Sequence, residues 1–311
     1  MNFSRLPRMK RFIDTQPAFK PVGLSCAVAV LWGFIEVLGG LIPARYSPYQ
    51  TVWMRYGIHL LFLFMVWGPR RKAGLVRTPR WGAQILRGLL MLGMPATFIL
   101  AIDRMPANTT WSIFWLAPLV SMAGAAALLK EKAPPAAWGA SVFGLAGAWM
   151  ILRPALSGGW QASLLALGMM LCFALYVLAS RLLREENTFT SLFYTAAAVL
   201  LPLSAVVPTF WRPLSWKAAA VMGLIGLLGF GLLFALERAL ETAPVSASAP
   251  FLYTTPIWYM LFSATLHHTP IHTRDLAGAL VILIPTVLLA LFLAHGSRRL
   301  IPSSMTGQPR A

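Results

Sequence analysis

The hydrophobic positions of the chain fall into long runs separated by short polar stretches. Each run is close to the roughly 20 apolar residues that an α-helix needs to cross the hydrocarbon layer of a membrane. Backbone polar groups in lipid must be satisfied within the segment, so the runs are predicted to be helices; the alternation of a membrane β-strand is absent. Ten segments are predicted: 22–42, 49–68, 82–102, 108–129, 136–152, 161–181, 190–210, 217–237, 246–266 and 275–295.

Composition places almost the whole chain in the bilayer. Of its 311 residues 58% are hydrophobic and 11% are charged, against about 45–50% and about 25% in soluble domains. The gaps between segments are too short to hold a soluble domain, so any function must be carried out in the membrane. The predicted fold class is an all-α protein of the cell membrane, inner or plasma, that crosses it many times.

The positive charges predict how the chain is oriented. The net charge is +17, and with a cytoplasmic N-terminus most of the 26 Lys and Arg residues fall in the two tails and in the connections on the cytoplasmic side. The positive-inside rule then predicts that both termini are cytoplasmic. These charges also attract anionic lipid headgroups. Nucleic acid is excluded as a partner, because no basic face exists apart from these loops.

The second half of the chain repeats features of the first. One offset of 138 residues aligns an acidic residue, a loop proline and a mid-segment proline: Asp103 with Glu241, Pro106 with Pro244, and Pro118 with Pro256. Each half then holds five segments. Because five is odd, the second half enters the membrane in the opposite sense, which predicts an inverted-topology repeat. Many secondary transporters have this organisation, with the substrate site near the midplane at the repeat interface.

The paired prolines indicate which helices would line the substrate site. Proline inside a helix removes a hydrogen bond and bends or breaks the helix. A single proline in a membrane helix is explained by packing alone. The symmetric placement of Pro118 and Pro256 instead favours bent or broken helices that line a cavity.

Several motifs occur in the same order along the chain and are partly duplicated. They are Trp32-Gly33, Ser47-Pro48 followed by Arg55, Pro118 followed by Lys130-Glu131-Lys132, Gly139 and Gly147, and then Pro256, Pro270 and Gly278. In this order the chain resembles the EamA-like, ten-helix branch of the drug/metabolite transporter superfamily. The resemblance covers residues 22 to 295. Two features depart from it: Thr269 stands where the family has a second loop glutamate, and Glu36 has only apolar counterparts in the second half.

The resemblance implies a domain plan and a function. The plan is a basic cytoplasmic tail (1–20), two EamA-like repeats of five helices (21–155 and 156–297) and a second cytoplasmic tail (298–311). The implied function is secondary transport, often outward, of a small organic metabolite by alternating access. Amino acids, purines, sugars, vitamins and drugs are all substrates within the family, so membership alone does not choose among them.

Glu36 and Arg55 are the principal candidate site residues. Each lies six residues from the outer end of its segment, on helices joined by a short loop, so their depths match. His59 follows Arg55 by one turn on the same helix face. Intramembrane ionisable residues generally pair and mark substrate or proton paths. Either Glu36 and Arg55 only lock two helices together, or these three residues line the cavity and Glu36 exchanges a proton.

Deep aromatic residues form a second candidate group. Trp32, Trp115, Tyr176 and Tyr253 lie further from the segment ends than an interfacial belt would require, and are expected to line the cavity wall. An aromatic wall with a few polar groups suits a flat or amphipathic small molecule. Two other charged positions are read as interfacial: Arg87 is predicted to extend to the cytoplasmic headgroups, and Glu237 marks a helix end.

The sequence therefore predicts a transporter, expected to export an amino acid or a nucleobase, with the proton gradient or the substrate gradient as driving force. No phosphate-binding loop or metal-ligand cluster appears, so no cofactor, metal or enzymatic activity is expected. Two alternatives stay open: a sensor or scaffold that transports nothing, and a membrane-embedded enzyme, for which the loops offer little. Expected partners are the metabolite, protons and anionic lipids; a homodimer is left open.

Overall fold

A computed structural model of the chain describes residues 19–155 and 158–298, and within that part it contains α-helices and 3-10 turns but no strand. The predicted tails, 1–20 and 298–311, lie almost wholly outside the described residues. The helices are α1 (Phe19–Gly39), α2 (Pro48–Arg71), α3 (Trp81–Ile102), α4 (Ala107–Phe114), α5 (Ala117–Leu128), α6 (Pro135–Leu152), α7 (Trp160–Leu182), α8 (Thr188–Phe210), α9 (Trp216–Thr242), α10 (Ala249–Leu252), α11 (Thr255–Leu266) and α12 (Thr273–Arg298), with 3-10 turns at Lys72–Leu75 and Val245–Ala247.

Eight spans in the described residues are long and apolar enough to cross a membrane, counting α4 and α5 as one. Helices also occupy the two other predicted segments. Segment 49–68 falls in α2, which is long but carries several polar and charged side chains, and segment 246–266 falls in the short helices α10 and α11. The all-helical membrane architecture predicted from the hydrophobic runs is confirmed.

Two of the predicted segments, 108–129 and 246–266, are interrupted close to the paired prolines. Helix α4 ends at Phe114 and α5 begins at Ala117, while α10 ends at Leu252 and α11 begins at Thr255. Pro118 and Pro256 lie in the first turns of α5 and α11, where no backbone N–H is needed. The prolines thus begin new helices rather than bending continuous ones.

The connections after α5 and α11 repeat the same backbone geometry. Lys130 and His268, which are 138 residues apart, both have positive φ, at 57° and 54°. In each connection the backbone N–H of the next residue donates a hydrogen bond to a carbonyl in the last turn of the helix. Glu131 donates to Ala125 O at 3.1 Å, and Thr269 donates to Ser263 O at 3.4 Å. The internal repeat is therefore visible in local backbone structure as well as in sequence.

The helix packing is also repeated between the halves. Helix α1 packs on α9 and α11, and its counterpart α7 packs on α3 and α5. Helix α2 packs on α9, and α8 packs on α3. The pairs α2–α8 and α6–α12 each join a helix to its own counterpart. Exchanging the halves leaves this set of contacts unchanged, as a pseudo-two-fold axis requires.

Candidate functional site

Glu36 lies at the junction of three cavities at one end of the bundle. It projects from the last turns of α1 and accepts a hydrogen bond from the indole N–H of Trp32, one turn earlier, at 3.2 Å between Nε1 and Oε1. It contributes to the walls of cavities of about 430, 490 and 60 Å³. A carboxylate at this depth thus faces open space instead of packed side chains.

The 430 Å³ space, here called the aromatic cavity, has five aromatic rings among its twelve lining residues. They belong to Trp32, Phe98, Trp111, Trp115 and Tyr259. Ring centroids lie 6.3 Å apart between Trp32 and Trp111, and 5.1 Å apart between Phe98 and Trp111. These spacings are those of mutually packed aromatic side chains. The cavity presents π faces and one carboxylate to whatever enters it.

Arg55 shares the other two cavities with Glu36. Within the described residues no ion pair joins them, so the direct pair that their matching depths allowed is not formed. The Arg55 guanidinium lies 5.7 Å from the ring of Tyr56, and its buried Nε has no hydrogen-bond partner in the described part of the chain. Gly229 leaves it room, since a Cβ there would lie 2.6 Å from Nε. An anion and a cation therefore line one space without neutralising each other directly.

His59 lies one turn beyond Arg55 and outside the walls of these three cavities. It is buried, with its ring stacked on Tyr56 and edge-on to Phe230 at centroid distances of 6.2 and 5.0 Å. Its Nε2 has no hydrogen-bond partner among the described residues. The structure thus places His59 behind the cavity.

The four candidate aromatic residues lie in three places. Trp32 and Trp115 line the aromatic cavity. Tyr253 lies at the break between α10 and α11, where its ring contacts Trp115 at 6.1 Å and is packed tightly against Gly144. Tyr176 lies elsewhere, and its hydroxyl donates to Glu237 at 2.6 Å.

The prediction that Arg87 extends to the headgroups is wrong. Arg87 is fully buried, and its guanidinium donates to Glu237 at 2.8 Å and to Thr195 at 2.9 Å. Ser180 donates to the same Glu237 oxygen at 2.9 Å. A buried charge is tolerated only when it is paired and hydrogen-bonded, and this network supplies both conditions. Glu237 is correspondingly an internal residue rather than the marker of a helix end.

A second ion pair lies at the same end of the bundle. Arg181, at the end of α7, pairs through Nε with Glu131, beyond the end of α5. The other Glu131 oxygen accepts from the backbone N–H of Val245 at 2.8 Å. Arg181 also donates to the carbonyl of Leu240 at 2.6 Å. Both ion pairs join the first half of the chain to the second, at the end of the bundle opposite the Glu36 cavities.

No group of three or more His, Cys, Asp or Glu side chains that would hold a metal ion occurs among the residues that the structure describes.

Residues 20–153 and 160–291 each match the model of the EamA-like transporter family. The chain belongs to this family.

Individual relatives agree with the family assignment. S-adenosylmethionine uptake transporters of Rickettsia conorii and Rickettsia prowazekii are each 22% identical, over 260 and 265 residues, covering 83% of this chain and 87% of theirs. The one from Rickettsia felis is 24% identical over 263 residues, with the same coverage. A protein of known crystal structure has the same fold, with a TM-score of 0.76, 18% identity and coverage of 89% of this chain and 98% of its own.

The chain is therefore a multi-pass protein of the cell membrane that transports a small metabolite, and it is not an enzyme.

Proposed function

We propose that the chain crosses the membrane ten times as two inverted five-helix repeats, 21–155 and 156–297, with both tails cytoplasmic. The repeated packing, the common offset of 138 residues and the distribution of Lys and Arg support this topology. In this orientation the Glu36 cavities lie toward the outside and both buried ion pairs lie toward the cytoplasm. The conformation is then outward-facing, and transport proceeds by rocking one repeat against the other.

The proposed substrate is a small molecule that joins a zwitterionic group to a flat ring. One observation carries this proposal: Glu36 and Arg55 line the same space without pairing, next to a cavity walled by five aromatic rings. Glu36 suits an ammonium or another cation, Arg55 suits a carboxylate, and the rings suit a planar heterocycle. Amino acids and nucleobases each satisfy part of this description.

The names of the relatives supply a first compound to test. S-adenosylmethionine, which they are said to take up, joins an α-amino acid to adenosine through a positively charged sulfur. It therefore carries every group that the proposed site would recognise.

Coupling to protons is assigned to Glu36, with His59 as a second proton-carrying group behind the cavity. Glu36 faces the cavity, and the unpartnered Nε2 of His59 lies one turn below Arg55. Proton exchange at Glu36 would drive export when protons flow inward. If the same site instead exchanged substrates without using a proton gradient, the protein would take its substrate up. Uptake is the direction of transport that the names of the relatives state.

Flux in proteoliposomes tests both proposals. Vesicles containing purified protein are loaded with S-adenosylmethionine, amino acids, nucleobases and sugars; the solutes that leave are identified by mass spectrometry, with and without a pH gradient, and entry is measured in parallel. Efflux of a zwitterionic heterocycle that accelerates with the gradient is expected. Efflux of sugars alone would refute the proposed substrate class. No flux of any solute, from protein shown to be folded, would favour a sensor or scaffold.

A further inference from the structure

A large pocket lies at the end of the bundle that carries the buried ion pairs, away from the Glu36 cavities. Its volume is about 660 Å³, and it opens between the ends of α5 and α7. Its walls include four basic side chains, Arg80, Lys132, Arg181 and Arg184, and two acidic ones, Glu131 and Glu185. We call it the basic pocket.

The side chains that line the basic pocket include two more basic than acidic residues. Arg181 and Glu131 satisfy each other through their ion pair. Arg80 lies 4.0 Å from the exposed Glu185 and 3.9 Å from Glu186, which is 12% exposed. Lys132 is exposed and has neither an ion pair nor a hydrogen bond within the described ranges. A cluster of Arg and Lys around a cavity is suited to phosphate oxygens.

The rim of the basic pocket is apolar on the side that faces away from the protein. Leu128, at the end of α5, and Leu182, at the end of α7, are 70% and 61% exposed. A leucine this exposed at the end of a membrane helix is suited to contact with acyl chains. The pocket thus combines a basic interior with an apolar edge, as an anionic phospholipid requires.

We propose that the basic pocket binds the phosphate group of an anionic phospholipid from the cytoplasmic leaflet. This proposal rests on the topology proposed above, which places the pocket at the cytoplasmic surface, and it is independent of the transported substrate. Basic pockets between membrane helices on the cytoplasmic side are suited to such headgroups. The lipid would lie beside the Glu131–Arg181 pair, so its occupancy is expected to affect how readily that end opens.

The test compares two double variants in neutral detergent. Lys132→Gln with Arg184→Gln removes two charges of the pocket, and Lys20→Gln with Arg77→Gln removes two exposed charges outside its walls. Each is titrated with short-chain phosphatidylglycerol, with phosphatidylcholine of the same chain length and with inorganic phosphate, while the melting temperature is followed. Each basic residue near a membrane surface contributes about 1 kcal/mol of attraction, so the pocket variant is expected to bind phosphatidylglycerol about 30-fold more weakly.

The outcomes separate lipid from soluble phosphate. Stabilisation of the native chain and of the control variant by phosphatidylglycerol, much reduced in the pocket variant, supports the proposal. If inorganic phosphate alone gives the same stabilisation and the same loss, the ligand is a soluble phosphate compound and the lipid assignment is overturned. Equal responses to the two lipids, or equal responses of the two variants, overturn the site altogether. These readings need no flux, so a failed transport experiment does not affect them.

Discussion

At the residue scale, the central question is why a membrane helix carries Glu36. Ionisable side chains inside a bilayer are costly, and those that persist usually face a cavity or a partner. Glu36 has one neutral donor, the indole of Trp32, and contributes to the walls of three cavities. It lacks the enclosing network of donors that Glu237 has. This difference supports the proposal that Glu36 is the carboxylate that meets a substrate cation or a proton.

Replacing Glu36 with glutamine is expected to abolish acceleration of flux by a pH gradient and to leave the melting temperature almost unchanged. The amide has nearly the same size and can still accept from Trp32 Nε1, but it cannot exchange a proton. Efflux is measured with and without the gradient, and Glu185→Gln, an exposed carboxylate far from the cavity, serves as the control. Gradient-driven efflux at the native rate in the Glu36 variant would falsify the proton role.

Replacing Arg55 with glutamine tests recognition of the substrate carboxylate. A hydrogen bond to a charged group contributes about 1.5–3 kcal/mol, so loss of the guanidinium is expected to raise KM about 10-fold to 100-fold. The effect should be confined to substrates that carry a carboxylate, and should be small for their decarboxylated analogues. Initial rates against concentration for both compounds provide the measurement. An equal rise in KM for the two compounds would mean that Arg55 acts only on the fold.

At the element scale, small residues determine how closely the helices approach. Helices α6 and α12 cross at Gly147 and Gly278, where a Cβ on Gly147 would lie 2.5 Å from the carbonyl oxygen of Gly278. Gly139 lies on α6 as well, but a Cβ there meets nothing within 4 Å. Gly139 and Gly147 are two of the three glycines of α6, and both belong to the motif by which the sequence resembles the family. Only one of them is required by this packing.

The substitution Gly147→Val is therefore expected to destabilise the protein, whereas Gly139→Val is not. Overpacking a helix contact typically costs about 1–3 kcal/mol, and the contact here is with backbone, which cannot rotate away. The two variants receive the same side chain on the same helix, so they form a matched pair. Thermal unfolding of the purified proteins in detergent gives the comparison, and equal melting temperatures would contradict the close crossing.

Features that depend on local sequence could be predicted from the sequence, and contacts between distant residues could not. Long apolar runs and paired prolines act locally, so the helices and the breaks before Pro118 and Pro256 were predictable. The burial of Arg87 was not, because its partner Glu237 is 150 residues away and no local pattern joins them. The sequence predicts that Tyr176 lines the cavity, because depth alone does not reveal that its hydroxyl faces Glu237.

At the scale of the whole molecule, the two halves make different side-chain contacts at the two ends of the bundle, although their backbones are repeated. Beyond α5, Glu131 forms an ion pair with Arg181 across the halves. At the equivalent position beyond α11, the Thr269 hydroxyl donates to Ser263, which belongs to the same half. The symmetric backbone thus carries an asymmetric set of side chains. The Arg87–Glu237 pair joins the halves at the same end. At the opposite end the halves are joined by the pair of Arg153 with Asp275, in which the Arg153 side chain is 40% exposed. The two ion pairs whose side chains are both mostly buried therefore lie at one end.

Removing one of these charges should open the end that carries both buried ion pairs, which the proposed topology places on the cytoplasmic side. Glu131→Gln leaves Arg181 buried without its counterion, and removing one partner of a buried pair is strongly destabilising to the arrangement that holds it. Val245 is fully buried and its N–H bonds to Glu131, so a cysteine there reports on opening. The reporter Val245→Cys is placed in a chain whose Cys26 and Cys172 are replaced by alanine.

Labelling of the reporter by a membrane-impermeant maleimide is expected to be several-fold faster with Glu131→Gln than without it. Arg238→Gln is the control, because it removes an ion pair that lies within a single helix, where Arg238 meets Glu241 three residues later, and does not join the two halves. Gel filtration shows whether each variant remains folded. Faster labelling in both variants would indicate general loosening, whereas an unchanged rate with Glu131→Gln would show that the pair does not hold this end closed. A specific increase would establish that the Glu131–Arg181 pair, rather than the shared backbone, holds this end closed.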